Sequence, residues 1–303
     1  MAATGISAVG AGVAVSSYLT AYPVLTAQAV RYGLAAAILA AVARRRGARE
    51  PRLPLRVWAR IGMVAVTGMA LFNVAVVRAV RSGDPAVAAT VVGCAPIVFA
   101  LGVPLLERRR PAALVAAGAC LVAGGAVVVE GFGTADAASL AWSAVALACE
   151  VAFTVVAAPA LRVVTPLGLS LRACAAAAAL LAVGSVALEG GLTVPDRAEL
   201  LAIGYLAVVS TVVAFLLWYE AVRRLGAETA GLLSGLMPVA AAMVGALVGA
   251  APLRWQTLAG ACLVAAGLGL ALARGRESDR GREGAGERAV AAARKRPAPV
   301  PRR

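Results

Sequence analysis

The chain contains no histidine, a single lysine (Lys295), and no Cys-x-x-Cys pair among its five cysteines. Without imidazole or paired thiols, neither a zinc site nor a histidine base can be assembled. No cofactor or metal is therefore expected. A phosphate-cradling glycine loop is also missing, which argues against an ATP-driven pump. Charge is scarce: 15% of the 303 residues are charged, whereas a soluble domain carries about 25%. The first ten residues, MAATGISAVG, hold no Lys or Arg, so the basic start of a cleavable signal peptide is not seen there. The cysteines at 94, 120, 149, 174 and 262 all fall inside apolar stretches and read as small packing residues.

Hydrophobic residues, by contrast, make up 61% of the chain and gather into long runs. The segment AVAATVVGCAPIVFALGVPLL (86–106) has no charge at all. Such a run can cross ~30 Å of hydrocarbon at ~1.5 Å per residue. Ten runs are visible, near 3–21, 23–43, 61–80, 85–106, 112–129, 138–159, 166–188, 198–219, 227–249 and 255–273. In lipid every backbone polar group must bond internally, so each run is expected to be a helix. The fold expected is an all-α membrane protein with ten transmembrane helices.

The net charge of +14 first suggests nucleic acid, but its placement argues otherwise. With a cytoplasmic N-terminus, 14 arginines fall in or beside the cytoplasmic gaps: Arg44, Arg45, Arg46, Arg49, Arg52, Arg56, Arg60, Arg108, Arg109, Arg110, Arg162, Arg172, Arg223 and Arg224. Only Arg78, Arg81, Arg197 and Arg254 fall on the other side. This is the positive-inside pattern, with both termini expected in the cytoplasm and the chain in the cytoplasmic (plasma) membrane. The basic tail, 274–303, lacks bulky residues apart from two valines and is expected to be disordered. It accompanies no folded basic module, so no nucleic-acid partner is expected. Attraction of the tail to anionic lipids is one reading; a solvated tail that obeys the positive-inside rule is the simpler one.

The hexapeptide GACLVA occurs at 118–123 and again at 260–265, an offset of 142. Ala79-Val80-Arg81 and Ala221-Val222-Arg223 share that offset, as do Pro96 with Pro238 and Gly125 with Gly267. The shared register points to a duplication: residues 1–129 and 130–273, each with five helices, followed by the tail. An odd helix number inverts one repeat relative to the other, the arrangement of alternating-access carriers. Within GACLVA the small-xxx-small spacing (Ala119/Ala123, Ala261/Ala265) permits close helix approach. Packing within the chain is the simpler use of it, and a homodimer seam is the alternative.

The stretch AVRRLGAETAGLLSGLMPVAAAMVGALVGAAPLRWQTLAGACLVAAGLGL resembles the C-terminal half of EamA-type carriers of the drug/metabolite transporter superfamily. YPVLTAQAVRYGLAAAIL (22–39) is similar to that family's second-helix pattern, and LLERRR (105–110) resembles its Glu after the fourth helix. The family usually repeats that acidic residue after its ninth helix, where this chain has Ala250-Ala251. The resemblance implies secondary transport, often export, of a small metabolite that is amino-acid-like or amphipathic. It names no compound.

Charges inside apolar runs are the candidate site residues, since they usually face a cavity or partner. Glu150 lies ~18 Å from the outer end of its run and Arg31 ~12 Å. Both are expected to line the pathway. Arg31 suits a substrate carboxylate, and Glu150 an amine or a coupling proton; a structural Arg31–Glu150 bond is the competing reading. Asn73 is placed to bind substrate or a neighbouring helix. Tyr18, Tyr205 and Thr211 offer further polar contacts, though each also fits an interfacial or packing role. Pro96 and Pro238 break a helix hydrogen bond and are candidate hinges. The expected partners are a small-molecule substrate and the lipid bilayer. Import on the same fold, a non-transporting scaffold or sensor, and a membrane-embedded enzyme are the other function classes. No long soluble domain supports the scaffold, and no clustered nucleophile and base supports the enzyme. A reporter enzyme active only outside the cytoplasm, fused after Arg303, is expected to be inactive, and the same fusion after Arg197 active.

Overall fold

The computed structural model describes residues 22–47, 53–130, 134–247, 255–271 and 273. Among them every regular element is helical, and the one β contact is an isolated bridge between Gly83 and Ala135. The first run, 3–21, Tyr18 within it, the Ala250-Ala251 region and the tail lie outside the described residues.

Helix α1 is Val24–Arg45. The next run is α2 (Leu55–Ala65), a π-helical turn (Val66–Leu71) and α3 (Phe72–Ser82) in one continuous stretch. Then come α4 (Pro85–Gly93), α5 (Ala95–Leu106), α6 (Ala113–Glu130), α7 (Ala137–Ala160) and α8 (Pro166–Leu188). Helix α9 (Arg197–Ala207) passes through a second π-helical turn (Val208–Val213) into α10 (Ala214–Leu232). A 3-10 turn (Leu233–Gly235) leads to α11 (Leu236–Leu247), and α12 is Trp255–Ala271. Six of these helical stretches are long and apolar enough to span a membrane. The stretch Arg197–Ala240 has 44 residues. That is ~66 Å of helix, too long for one crossing. It divides at Gly226, whose φ of 80° and ψ of 166° no helix interior adopts.

Several helix starts carry short polar caps, because the first N–H groups have no partner within the helix. Asp84 Oδ1 accepts from the Ala86 amide at 2.8 Å and Asp136 Oδ1 from Ser139 at 2.6 Å. Thr165 Oγ1 accepts from Gly168 at 3.0 Å. Asp196 and Glu199 form a reciprocal capping box.

The 142-residue register recurs in the backbone. Displacing Leu55–Ala65 and Val66–Leu71 by 142 gives Arg197–Ala207 and Val208–Val213. The breaks before the two prolines match as well, at Cys94 and at Leu233–Gly235. This corrects the expectation of interior kinks at Pro96 and Pro238. Pro96 stands in the first turn of α5, and Pro238 near the start of α11. There a missing N–H costs nothing, because the first turn has no acceptor for it.

Corresponding helices pack against each other and run antiparallel. Along α1 and α8, Thr26 meets Ser185 while Gly33 meets Ala178. Along α6 and α12 the contact is made by four glycines. A Cβ on Gly118 would stand 2.6 Å from the Gly267 carbonyl oxygen, and one on Gly125 2.6 Å from that of Gly260. The reverse contacts hold too: a Cβ on Gly267 would meet the Gly118 oxygen at 2.5 Å, and one on Gly260 the Gly125 oxygen at 2.6 Å. Gly118 corresponds to Gly260 and Gly125 to Gly267, so each pair joins non-equivalent positions of the two halves. GACLVA therefore serves a seam within the chain. Backbone approach of this kind is how helices associate where lipid removes the hydrophobic drive. The main core lies beside α1 and α8, around Tyr32, Leu39, Ile61, Met69, Leu169 and Tyr219.

Substituting leucine at Gly118 or Gly267 is expected to cost about 1–3 kcal/mol or more by overpacking. A lower Tm of the detergent-purified protein is the readout. Gly124→Ala is the control on the same helix, because its Cβ would meet nothing within 4 Å.

Candidate functional site

A π-helical turn leaves a carbonyl without its usual i+4 amide donor, and such turns concentrate at functional sites. Here polar side chains take up carbonyls at both turns. In the first, the Asn73 amide Nδ2 donates to the Met69 carbonyl at 2.5 Å and to Tyr32 Oη at 3.1 Å. In the second, Thr211 Oγ1 donates to the Leu206 carbonyl at 3.0 Å. Arg31 reaches the same turn from α1. Its Nε donates to Thr211 Oγ1 at 2.8 Å, Nη2 to the Ser210 carbonyl at 3.3 Å and Nη1 to Gln28 Oε1 at 3.3 Å. The guanidinium also lies 5.3 Å from the centre of the Tyr32 ring. All these partners are neutral, so the positive charge is held by dipoles and a π-face rather than by a carboxylate.

Glu150 sits on α7, 5% exposed. Among the described residues its Oε2 has no hydrogen-bond partner, and neither has Oγ1 of Thr154 one turn on. Across from them on α10, Trp218 Nε1 and Tyr219 Oη are likewise shut from solvent without a partner. The Trp218 ring lies 6.4 Å from that of Phe153 on α7, and Tyr219 5.8 Å from Phe215. An unsatisfied buried polar group costs about 1–3 kcal/mol. Two such groups stand on each of the helices α7 and α10, and a buried polar group left unpaired calls for an explanation.

Arg31, Asn73 and Thr211 are thus brought to one network that also includes Tyr32 and the two π-helical turns. Arg31 and Glu150 form no ion pair, so the structural-bond reading of that pair is not what holds these helices. Tyr205 is half-buried on α9 and makes no side-chain hydrogen bond among the described residues. Tyr18 lies outside them. Arg78 is exposed, with its guanidinium 6.0 Å from the Trp142 ring.

The chain aligns with one family model twice, over residues 1–130 and 137–273, and that model describes the EamA-like transporter family. This chain is an EamA-like transporter family member. A solved structure described only as the crystal structure of a protein is similar to it, with a TM-score of 0.77 and 25% identity. The alignment covers 91% of this chain and 98% of that one. No curated protein matches it.

Several residues of this EamA-like chain escaped the reading of the sequence. Trp218 and Tyr219 were hidden in an apolar run, where an adjacent aromatic pair was the one available sign. Glu189 falls one residue past the apolar run 166–188. Its carboxylate caps the first turn of α1 from the end of α8. Oε1 accepts from the Leu25 amide at 2.8 Å, and Oε2 from the Thr26 amide at 2.9 Å and Thr26 Oγ1 at 3.0 Å. A carboxylate suits the positive end of a helix. Tyr22 Oη adds a bond to the Thr193 carbonyl at 2.6 Å. At the other end Arg109 bridges Glu107 (2.6 Å) and Glu228 (3.1 Å). Hydrogen bonds to Glu107 and then Glu228 raise the Arg109 pKa above its ordinary value. Glu189→Ala is expected to lose about 0.5–2 kcal/mol of stability, as helix caps do. Glu189→Gln, which keeps one carbonyl acceptor, is expected to lose less; denaturant unfolding of the two variants checks the order.

Proposed function

We propose that this protein is a secondary transporter that exports a small organic solute, amino-acid-like or amphipathic, across the cytoplasmic membrane. Two inverted five-helix repeats rock about a midplane site in alternating access. Antiparallel packing of corresponding helices supports the inverted arrangement, which is the geometry such carriers use. The observation that carries the site is the buried Glu150, a carboxylate with an unpartnered oxygen deep in an apolar helix. A group this costly persists where it has a ligand to meet.

In this reading Glu150 receives a substrate amine or a coupling proton, with Thr154, Trp218 and Tyr219 completing the lining. Arg31 receives the substrate's anionic group. Its planar fork suits a carboxylate, and its present partners are neutral groups that a carboxylate outcompetes. Gln28, Thr211 and the Ser210 carbonyl hold the guanidinium until then. Asn73 and Tyr32 brace the first π-helical turn. Pro96 and Pro238, at matched helix breaks, mark the places where the halves flex.

The test is untargeted profiling of medium and cytosol in cells expressing wild type, Glu150→Gln or Arg31→Gln at equal membrane levels. The wild type is expected to enrich one solute in the medium. Each variant is expected to lower that enrichment tenfold or more, about 1.4 kcal/mol of lost interaction or greater. Equal export by Glu150→Gln removes Glu150 from the site. Enrichment inside the cell instead replaces export by import.

A further inference from the structure

The arginine-rich end of the protein is divided into two unlike parts. Around α5 and α10 three arginines have carboxylates: Arg109 pairs with Glu107 and Glu228, and Glu220 bonds both Arg223 and Arg224. Around α1, α2 and α8 the balance is different. The segment 44–60 carries seven arginines and one acidic residue, Glu50, and Arg162 and Arg172 follow in the third dimension. The described residues of α1, α2 and α8 contain no Asp or Glu. Because α1 and α8 run antiparallel, Arg44, Arg45 and Arg46 stand at the end where α8 begins, the same end as Arg162. Helix α2 joins them there, for the Arg172 guanidinium of α8 lies 5.7 Å from the Trp58 ring of α2. Arg44, Arg45, Arg46, Arg56, Arg60 and Arg162 are all exposed.

Apolar surface is exposed among these charges. Trp58 is 48% exposed, Val163 49% and Leu55 83%. A half-exposed tryptophan beside arginines is the composition of a membrane–water boundary, where the ring sits at headgroup depth and the cations meet phosphate. A soluble acidic protein would be matched by the arginines but not by the exposed Leu55, Trp58 and Val163.

From this juxtaposition we infer that the α1–α2–α8 corner binds the headgroup of an anionic phospholipid. The phosphate is drawn to the arginines exposed at this end, Arg56, Arg60 and Arg162, and the acyl chains to the exposed Leu55, Trp58 and Val163. The site is separate from the proposed substrate pathway and does not depend on it. Arginine suits phosphate because its fork donates two parallel hydrogen bonds.

The test uses the full chain, delipidated in detergent, with native mass spectrometry to count bound lipid. The probes are phosphatidylglycerol and phosphatidylcholine with identical acyl chains. Phosphatidylglycerol is expected to bind at least tenfold more tightly. Each neutralised arginine of Arg56→Gln, Arg60→Gln and Arg162→Gln is expected to weaken it about fivefold, the order of one basic side chain near a charged surface. Arg197→Gln, at the opposite end, is expected to leave it unchanged. Should the triple variant fail to fold, Arg60→Gln alone against Arg197→Gln decides the same question. Equal binding of both lipids, or undiminished phosphatidylglycerol binding by the arginine variants, overturns the inference. Displacement of phosphatidylglycerol by millimolar inorganic phosphate also overturns it, because the site then serves a free anion.

Discussion

Two antiparallel contacts between corresponding helices hold the architecture together, and one of them is almost pure backbone. At the α6–α12 seam, glycines 118, 125, 260 and 267 bring carbonyl oxygens within about a side chain's first atom of the opposing helix. Nothing larger fits. In hydrocarbon the apolar side chains gain little by leaving lipid for protein, so close packing and carbonyl contacts must supply the association. The α1–α8 contact works differently, through Thr26, Ser185 and the Glu189 cap at one end and apolar packing along the rest. One seam is dry and tight, the other polar at its rim.

The polar interior is organised around the two π-helical turns. Each turn disturbs the helix ladder at the same point of its repeat, and each is closed by side chains of different kind: Asn73 in the first, Thr211 and Arg31 in the second. The duplicated backbone therefore carries an unduplicated chemistry. Position 31 corresponds to Ala173, and Asn73 to Phe215.

Much of this was legible in advance. Apolar run length marked the helices, and the 142-residue register of GACLVA marked the duplication and the family. Arg31, Asn73 and Thr211 were visible as polar residues in hydrocarbon-length runs, and the structure joins them. The aromatic pair Trp218-Tyr219 was not, because aromatics in an apolar run look like packing until their polar atoms are found without partners. Pro96 and Pro238 were recognised as special but misplaced in their helices, since a proline in a long run reads the same at an interior kink and at a fresh start.

By itself the sequence determined that the chain is a helical membrane protein, that it is duplicated, and which rare polar residues lie within apolar runs. Those properties are one-dimensional: they follow from the cost of exposing backbone and charge to lipid, which run length and spacing record. Only the tertiary structure decided that Arg31 rests on a π-helical turn while the buried Oε2 of Glu150 goes without a partner among the described residues. It also decided that Glu189 caps a helix more than 160 residues away, and that the repeated glycines meet each other. These depend on which helices become neighbours and at what rotation. Hydropathy carries no record of either.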